Sequence, residues 1–427
     1  MSADDRSTTA PPPPAPLAST VAADGDPPPR RLGRLGPVLL LSHLGWMLPV
    51  SASSTLIQAL MEQIDAEAKI ALYATLATAG AIAAALANIA FGALSDRTRT
   101  RFGARNPWIL CGGLVAAGSL ATMSVAPSFV TLVVLWMVFQ VSLNAFLGPL
   151  LALLPDRVSP VNMGKASSLI GFGQLIAQSL GGIVAAQFLA VPREGLRWIP
   201  LALLIATLLV VLVLPGRDNR AAGREPFSLR TLLATFRPPR DADFAWALAG
   251  RFLLLLSFML VVTYQLFLLT DHLELSTAQA SAAIATGGVL MAVASGLATA
   301  VSGPISDKIG RRKPLVMLSA VLLGVATLPL AVAPTLASFY AFLLVGGFAY
   351  GIYVAVDQAL MAEVLPDQDN RAKDLGILNV ANTGPQILAP IVAGALVTGV
   401  GYRGVLLIAL VIALASAACI KPIRRVR

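Results

Sequence analysis

From Pro37 to Ile420 the chain alternates long apolar stretches with short polar ones. A helix needs about twenty residues, at 1.5 Å rise each, to cross a hydrocarbon core. On that measure the pattern predicts helices over 37–60, 68–94, 107–126, 129–153, 163–190 and 199–214. A second set follows over 244–269, 277–301, 314–331, 336–364, 375–397 and 404–420. Residues 1–35 differ: Pro11 to Pro14 and Pro27 to Pro29 sit among Ala, Ser, Thr and Asp, with too little to bury to offset the entropy of ordering. The expected organisation is therefore a disordered tail over 1–35, a six-helix bundle over 36–215, a linker over 216–242, a second bundle over 243–420 and a basic tail over 421–427. The apolar run begins too late, behind a polar tail, for a cleaved signal peptide.

Composition strengthens this reading. Apolar residues make up 56% of the 427 and charged residues only 12%, about half the share of a soluble domain. So little charge cannot cover a water-facing surface, which argues against a soluble enzyme, a nucleic-acid binder and a disordered scaffold. The fold class expected is an all-α integral membrane protein with the lipid bilayer as its partner. Cys111 and Cys419 both lie in apolar runs without ligand neighbours, so neither a disulfide framework nor a metal site is expected. There is no Gly-x-x-x-x-Gly-Lys-Ser/Thr loop for a nucleotide.

The net charge of +9 gains meaning from its distribution. Arg30, Arg31 and Arg34, then Arg97, Arg99, Arg101 and Arg105, the arginines of 216–242, the run Lys308 to Lys313 and the tail from Lys421 alternate with connections poor in Lys and Arg. The opposite side has only Lys69, Arg193, Arg197 and Arg403. Such asymmetry predicts both chain ends in the cytoplasm, with the protein in the plasma membrane. It also accounts for the basic balance without a nucleic-acid partner.

The halves repeat each other. Gly92-Ala-Leu-Ser-Asp96-Arg97 recurs as Gly303-Pro-Ile-Ser-Asp307-Lys308, and Leu154-Pro-Asp156 as Leu365-Pro-Asp367, each at an offset of 211. Lys165 and Gln178 match Lys373 and Gln386 at an offset of 208. Two similar halves in the same orientation imply a pseudo-twofold axis along the membrane normal, with a substrate site where they meet.

At these residues the chain resembles the major facilitator superfamily, whose signature is a glycine, an acid and a basic run after the second helix of each half. Gly303 to Lys313 fits it, with Lys308, Arg311 and Arg312 as the basic run; the first-half copy, from Gly92 through Asp96, Arg97 and Arg101 to Trp108, is longer. The longer form, together with Ala355 to Leu360 and Leu375 to Gln386, is similar to the glycoside–pentoside–hexuronide and sucrose symporters. The resemblance implies twelve helices, alternating access, and a cytoplasmic gate in which Asp96 and Asp307 meet the starts of the eleventh and fifth helices when that side is closed. An acid facing a helix N-terminus is favourable, and Gly92 and Gly303 would leave room for close helix approach.

Ionisable residues inside a bilayer are costly and are functional candidates. Asp357 lies eight residues before Leu365 and Arg251 seven after Phe244, each about 10–12 Å from the same membrane edge. Equal depth and opposite sign point to an ion pair able to couple to protons, or to a structural contact. His43, near Ser42 and Trp46 in the first helix, is either a proton relay or a hydrogen-bonded structural histidine. Amides recur at helical spacing: Gln140 with Asn144, Gln174 with Gln178, and Asn379, Asn382 and Gln386. They suit a polyhydroxylated ligand, against which Trp46, Tyr264, Tyr350 and Tyr353 would stack; interhelical hydrogen bonding is the alternative.

Two departures narrow the coupling. Melibiose-type sodium symporters carry paired acids in the second helix, where this chain has only Asn88, so a sodium site of that kind is not expected. Plant sucrose symporters carry an acid in the fourth helix, where this chain has Asn144. The reading is a monomeric secondary transporter without cofactor or metal, coupling protons to uptake of a small molecule, a sugar or glycoside. The alternative is a proton-coupled exporter of a drug-like or natural-product compound. A non-transporting sensor on the same fold is a third class.

Overall fold

The computed structural model describes residues 32–159, 162–216, 218–220, 241–364 and 371–424, with backbone alone at some positions, among them 307 and 371–380. The tail over 1–35 and the linker over 216–242 therefore fall largely outside the described residues, as do Leu365 to Asp367 of the repeat. The first half contains α1 (Leu35–Ile64), α2 (Lys69–Arg97), α3 (Asn106–Thr122), α4 (Phe129–Arg157), α5 (Met163–Gln187) and α6 (Leu201–Val213). The second contains α7 (Ala242–Val262), α8 (Thr277–Ile309), α9 (Lys313–Val332), α10 (Leu336–Val364) and α11 (Arg371–Ile420).

Local chemistry explains many of the ends. Pro107 and Pro314 stand at the first turns of α3 and α9, where no amide partner is needed. The Ser128 and Asp241 side chains accept from Thr131 N and Phe244 N, and Ser276 with Gln279 forms a capping box. Gly310 closes α8 at φ +62°.

The clearest departures from the pattern-based limits are at the third, sixth, seventh, eleventh and twelfth crossings. The third ends at Thr122, short of 126, in a 3-10 turn over Met123–Val125. The sixth crossing is preceded by a separate helix, Pro192–Trp198, because the Ile199-Pro200 turn interrupts it. The seventh stops at Val262, and 263–272 become a turn, a short helix (Gln265–Phe267) and a π-turn (Leu268–His272). The eleventh and twelfth crossings run together as α11, broken at Gly401, whose φ of +71° and ψ of 176° suit only glycine.

Helices of this composition are apolar on nearly every face, since backbone groups must be satisfied within each helix and the outer surface meets lipid. Leu212, Val130 and Leu86 accordingly point outward, 76%, 70% and 65% exposed. Interior faces are marked instead by small residues. A side chain on Gly112 would strike the backbone of α4 at Phe146 and Ser142, and one on Gly351 the backbone of α8 at Ser295. In the first half α1 packs on α5 and α6, and α4 on α2 and α3; in the second α11 packs on α7 and α9, and α10 on α8 and α9. The halves meet chiefly where α5 packs on α8 and α2 on α11, with α1 also touching the short helix Gln265–Phe267.

Candidate functional site

The face bearing the chain ends and the arginine-rich loops is called the basic face here, and the opposite one the far face. Hydrogen bonds between the halves, among the described residues, all lie toward the far face. Lys69 Nζ, at the start of α2, meets Asp271 of the π-turn at 2.6 Å and Glu62 of α1 at 2.9 Å. Asp271 also accepts from the Tyr402 hydroxyl at 3.0 Å, and the ammonium lies 5.0 Å from the Phe267 ring centre. Leu266 N donates to Gln58 Oε1 at 3.2 Å, and Ser179 Oγ to the Gly288 carbonyl at 3.3 Å. Asp271 stands on the π-turn, at the boundary between the bundles.

Tyr264 belongs to this seal. It is 1% exposed, its hydroxyl donates to the Pro390 carbonyl at 2.9 Å, and its ring meets Tyr73 edge-on at 5.2 Å. Nothing in the sequence singled out Glu62, Asp271 or Tyr402, and Lys69 stood out only as one of the few basic residues of its side. Lys69 had the appearance of a loop lysine, and no spacing rule relates it to an acid 202 residues away.

The basic face is arranged differently. A side chain added at Gly92 or Gly303 would meet nothing within 4 Å. Among the described residues nothing from the other half lies against either glycine, while α4 comes near Gly92 within its own half: a side chain added at Gly148 would be 3.8 Å from Gly92 N. Asp96 is 65% exposed at its side chain and pairs with Arg105, which also reaches Asp156 at 3.1 Å and Ser95 at 2.5 Å. Asp96 is thus held within its own half rather than at the start of α11. Arg97, Lys308 and Arg311 are exposed and Arg312 is half-buried; Arg101 covers the Phe102 ring. The side chain of Asp307 lies outside the described residues.

Between the two faces, the second half encloses a charge cluster. Arg251 Nη1 of α7 is 2.6 Å from Asp357 Oδ2 of α10, with both side chains 5% exposed. The other edge of the guanidinium faces α11: Nε and Nη2 both donate to Asn382 Oδ1, at 2.9 and 2.8 Å. Tyr353, one turn before Asp357, lies against the carboxylate, and its hydroxyl has no hydrogen bond of good geometry. Tyr350 stacks on Phe258 of α7 at 4.7 Å and 15°. One guanidinium therefore joins three helices, through a carboxylate on one side and a neutral amide on the other. A planar fork with five donors suits that geometry.

In the first half His43 is fully buried. Its Nδ1 donates to the Leu39 carbonyl at 2.8 Å, while Nε2 and the neighbouring Trp46 Nε1 have no hydrogen-bond partner among the described residues. Asn144 accepts from Asn88 Nδ2 at 3.2 Å and donates to the Gln140 carbonyl at 2.9 Å, tying α2 to α4. On α5, Ser179 and Gly182 face α8, whereas Gly173 and Gly181 face α1. Gln174 and Gln178 occupy one arc between those contacts, with Gly171 and Ser167; the other arc carries the lipid-exposed Phe172 and Leu180. On that arc Gln174 is half-buried and Gln178 exposed. Gln386 is exposed on α11, and the side chain of Asn379 lies outside the described residues.

A sequence profile described as Major Facilitator Superfamily matches residues 35–302 and 247–426. Among solved structures, a nucleoside transporter, NupG, is similar at TM-score 0.73 and 16% identity, over 91% of this chain and 99% of that one. A D-xylose-proton symporter is similar at TM-score 0.69 and 16% identity, over 91% and 97%. A bacterial homologue of the human lysosomal transporter Spinster, inward-facing and occupied, is similar at 0.70 and 14%, over 93% and 98%. At these identities the likeness is one of fold. No curated protein sequence matches.

Proposed function

The chain belongs to the major facilitator superfamily and is a multi-pass membrane transporter, and from that premise we propose that it is a proton-coupled symporter of a sugar or glycoside. The carrying observation is the Arg251–Asp357 pair, buried at membrane depth beside half-buried Tyr350 and hydrogen-bonded to Asn382 of α11. A carboxylate that alternates between pairing with Arg251 and carrying a proton has two states for alternating access to use. With the basic face read as cytoplasmic by its arginines, the conformation is inward-open. The far seal is then extracellular, and Asp96 and Asp307 are contacts of the opposite state. The amides of α5 and the Tyr350 ring suit the hydroxyls and apolar face of a sugar. The D-xylose-proton symporter of the same fold lends support to that class.

One proton moving down 100 mV supplies about 2.3 kcal/mol, which sustains roughly a fortyfold substrate gradient at 1.4 kcal/mol per tenfold. In proteoliposomes with an imposed proton gradient and a panel of radiolabelled sugars, Asp357→Asn is expected to abolish uphill accumulation while leaving exchange of internal for external substrate. Accumulation that persists in the variant with wild-type pH response refutes this assignment. The second reading, export of a drug-like compound, is favoured by the Phe258–Tyr350 stack beside a cation. Thermal stabilisation by hydrophobic anions and not by sugars would select it, because a ligand stabilises the state it binds.

A further inference from the structure

Arg251 has a second acceptor, and the geometry of that contact goes beyond a simple ion pair. Asn382 directs only its carbonyl oxygen at the guanidinium and receives both Nε and Nη2. We propose that Asn382 is a positioning residue that holds Arg251 in place while Asp357 changes protonation, and thereby sets the pH at which the transporter switches state. This rests on the reading of Asp357 and Arg251 as the coupling pair.

The argument is one of buried charge. When Asp357 takes up a proton, a guanidinium 5% exposed loses its anion. A buried cation without acceptors is strongly disfavoured. The amide oxygen of Asn382 keeps two of the five guanidinium donors satisfied in both protonation states, so the protonated state stays within reach. Because the amide is neutral, it does not compete as an anion for the proton. Arg251 on α7 and the Tyr350 and Tyr353 hydroxyls on α10 are the titratable groups whose influence reaches Asp357; the described side chains of α11 add none there.

The contact also has a mechanical side. Asn382 stands on α11, the helix that carries the far seal: Pro390 accepts from Tyr264, and Gly394 is closed over by the Tyr264 hydroxyl and by Ala74 of α2. Less than four turns separate Asn382 from Gly394. A change in how Arg251 holds Asn382 therefore acts on the helix that joins the two halves.

The test uses the full chain in nanodiscs, with Cys111 and Cys419 replaced by Ser and spin labels at positions 102 and 309, both exposed on the basic face. Protons are the probe, and the readout is the pH midpoint of the change in inter-label distance. Asn382→Leu removes the neutral acceptor, leaves Arg251 dependent on the carboxylate, and is expected to move the midpoint acidward by about one unit, tenfold in proton affinity. Asn382→Asp puts a second carboxylate on the same guanidinium and is expected to move it alkaline by a similar amount. A structural role alone does not produce opposite shifts in two variants of similar melting temperature. Midpoints equal to wild type in both variants overturn the inference while leaving the coupling pair standing. A wild-type distance that does not respond to pH removes the coupling pair and the inference with it.

Discussion

The far-face seal is the place where a single charge can be removed with a large conformational consequence. Lys69 bridges the halves through Asp271 and holds Glu62 on its own side. Replacing it with Met keeps the stem against Phe267 and deletes the charge, so two carboxylates face each other without a cation. Removing one partner of a fully buried pair costs about 3–5 kcal/mol, and an exposed pair contributes about 0.2–1. The Lys69 side chain is 10% exposed, but its partners are 38% and 27% exposed, which places this site between those limits. An intermediate cost of about 1–2 kcal/mol shifts the equilibrium toward the far-side-open state about five- to thirtyfold, at 1.4 kcal/mol per tenfold. Spin labels on the exposed far-face positions 191 and 334 should report a new, longer distance in Lys69→Met. Lys69→Arg, which keeps the charge, should retain the wild-type distribution. The reasoning fails if Lys69→Met leaves that distribution unchanged in a protein that still folds, since the ion pair would then contribute nothing to closure.

Two further predictions concern packing and pH. In α3, Gly112→Ala places a methyl group 2.7 Å from Phe146 N and 2.8 Å from the Ser142 carbonyl, and should cost about 1–3 kcal/mol in thermal unfolding. Gly118→Ala in the same helix meets nothing within 4 Å and should be neutral or slightly stabilising. Beside the seal, burial holds His272 below its ordinary value of 6.5, against a smaller opposing pull from the Leu330 backbone. Its contribution is complete above pH 6.5 and is lost as pH falls from there toward the lowered folded value, because the unfolded chain binds the proton first. His272→Phe should therefore melt with a flatter pH dependence than wild type between about pH 7 and 5. Parallel slopes for the two proteins would discard that account.

Some of the candidate site was legible from residue type and depth. An acid and an arginine at equal depth in two apolar helices have few ways to be satisfied, and the structure brings Arg251 and Asp357 together. Asn382 was visible as an amide at helical spacing, yet its partner was not, because a helical repeat tells which residues share a face and not which helix that face meets. Of the far seal only Lys69, as one of the few basic residues on its side, and Tyr264, as an aromatic, were legible, and neither with its partner. Lys69 and Asp271, 202 residues apart, become neighbours only when the two bundles pack, and Asp271 then stands on a π-turn that nothing in the composition of Leu268–His272 announces. Gly92 and Gly303 show the converse: the motif is plain in the sequence, and among the described residues nothing from the other half lies against either glycine.

What the sequence determined by itself is the set of crossings, their division into two related halves and the sidedness of the basic loops. Each follows from a property of single segments: length against bilayer thickness, internal repetition, and the count of Lys and Arg. The tertiary structure decided which face of each helix turns inward, which state is closed and which charges meet. In water, hydrophobicity itself separates inside from outside; in lipid, Leu212 and Leu203 are equally at home on either side, though one is 76% exposed and the other fully buried. Facing is then set by the fit of small residues and the few polar contacts, such as Gly112 against α4 and Arg251 between α10 and α11, and these exist only once the helices have packed.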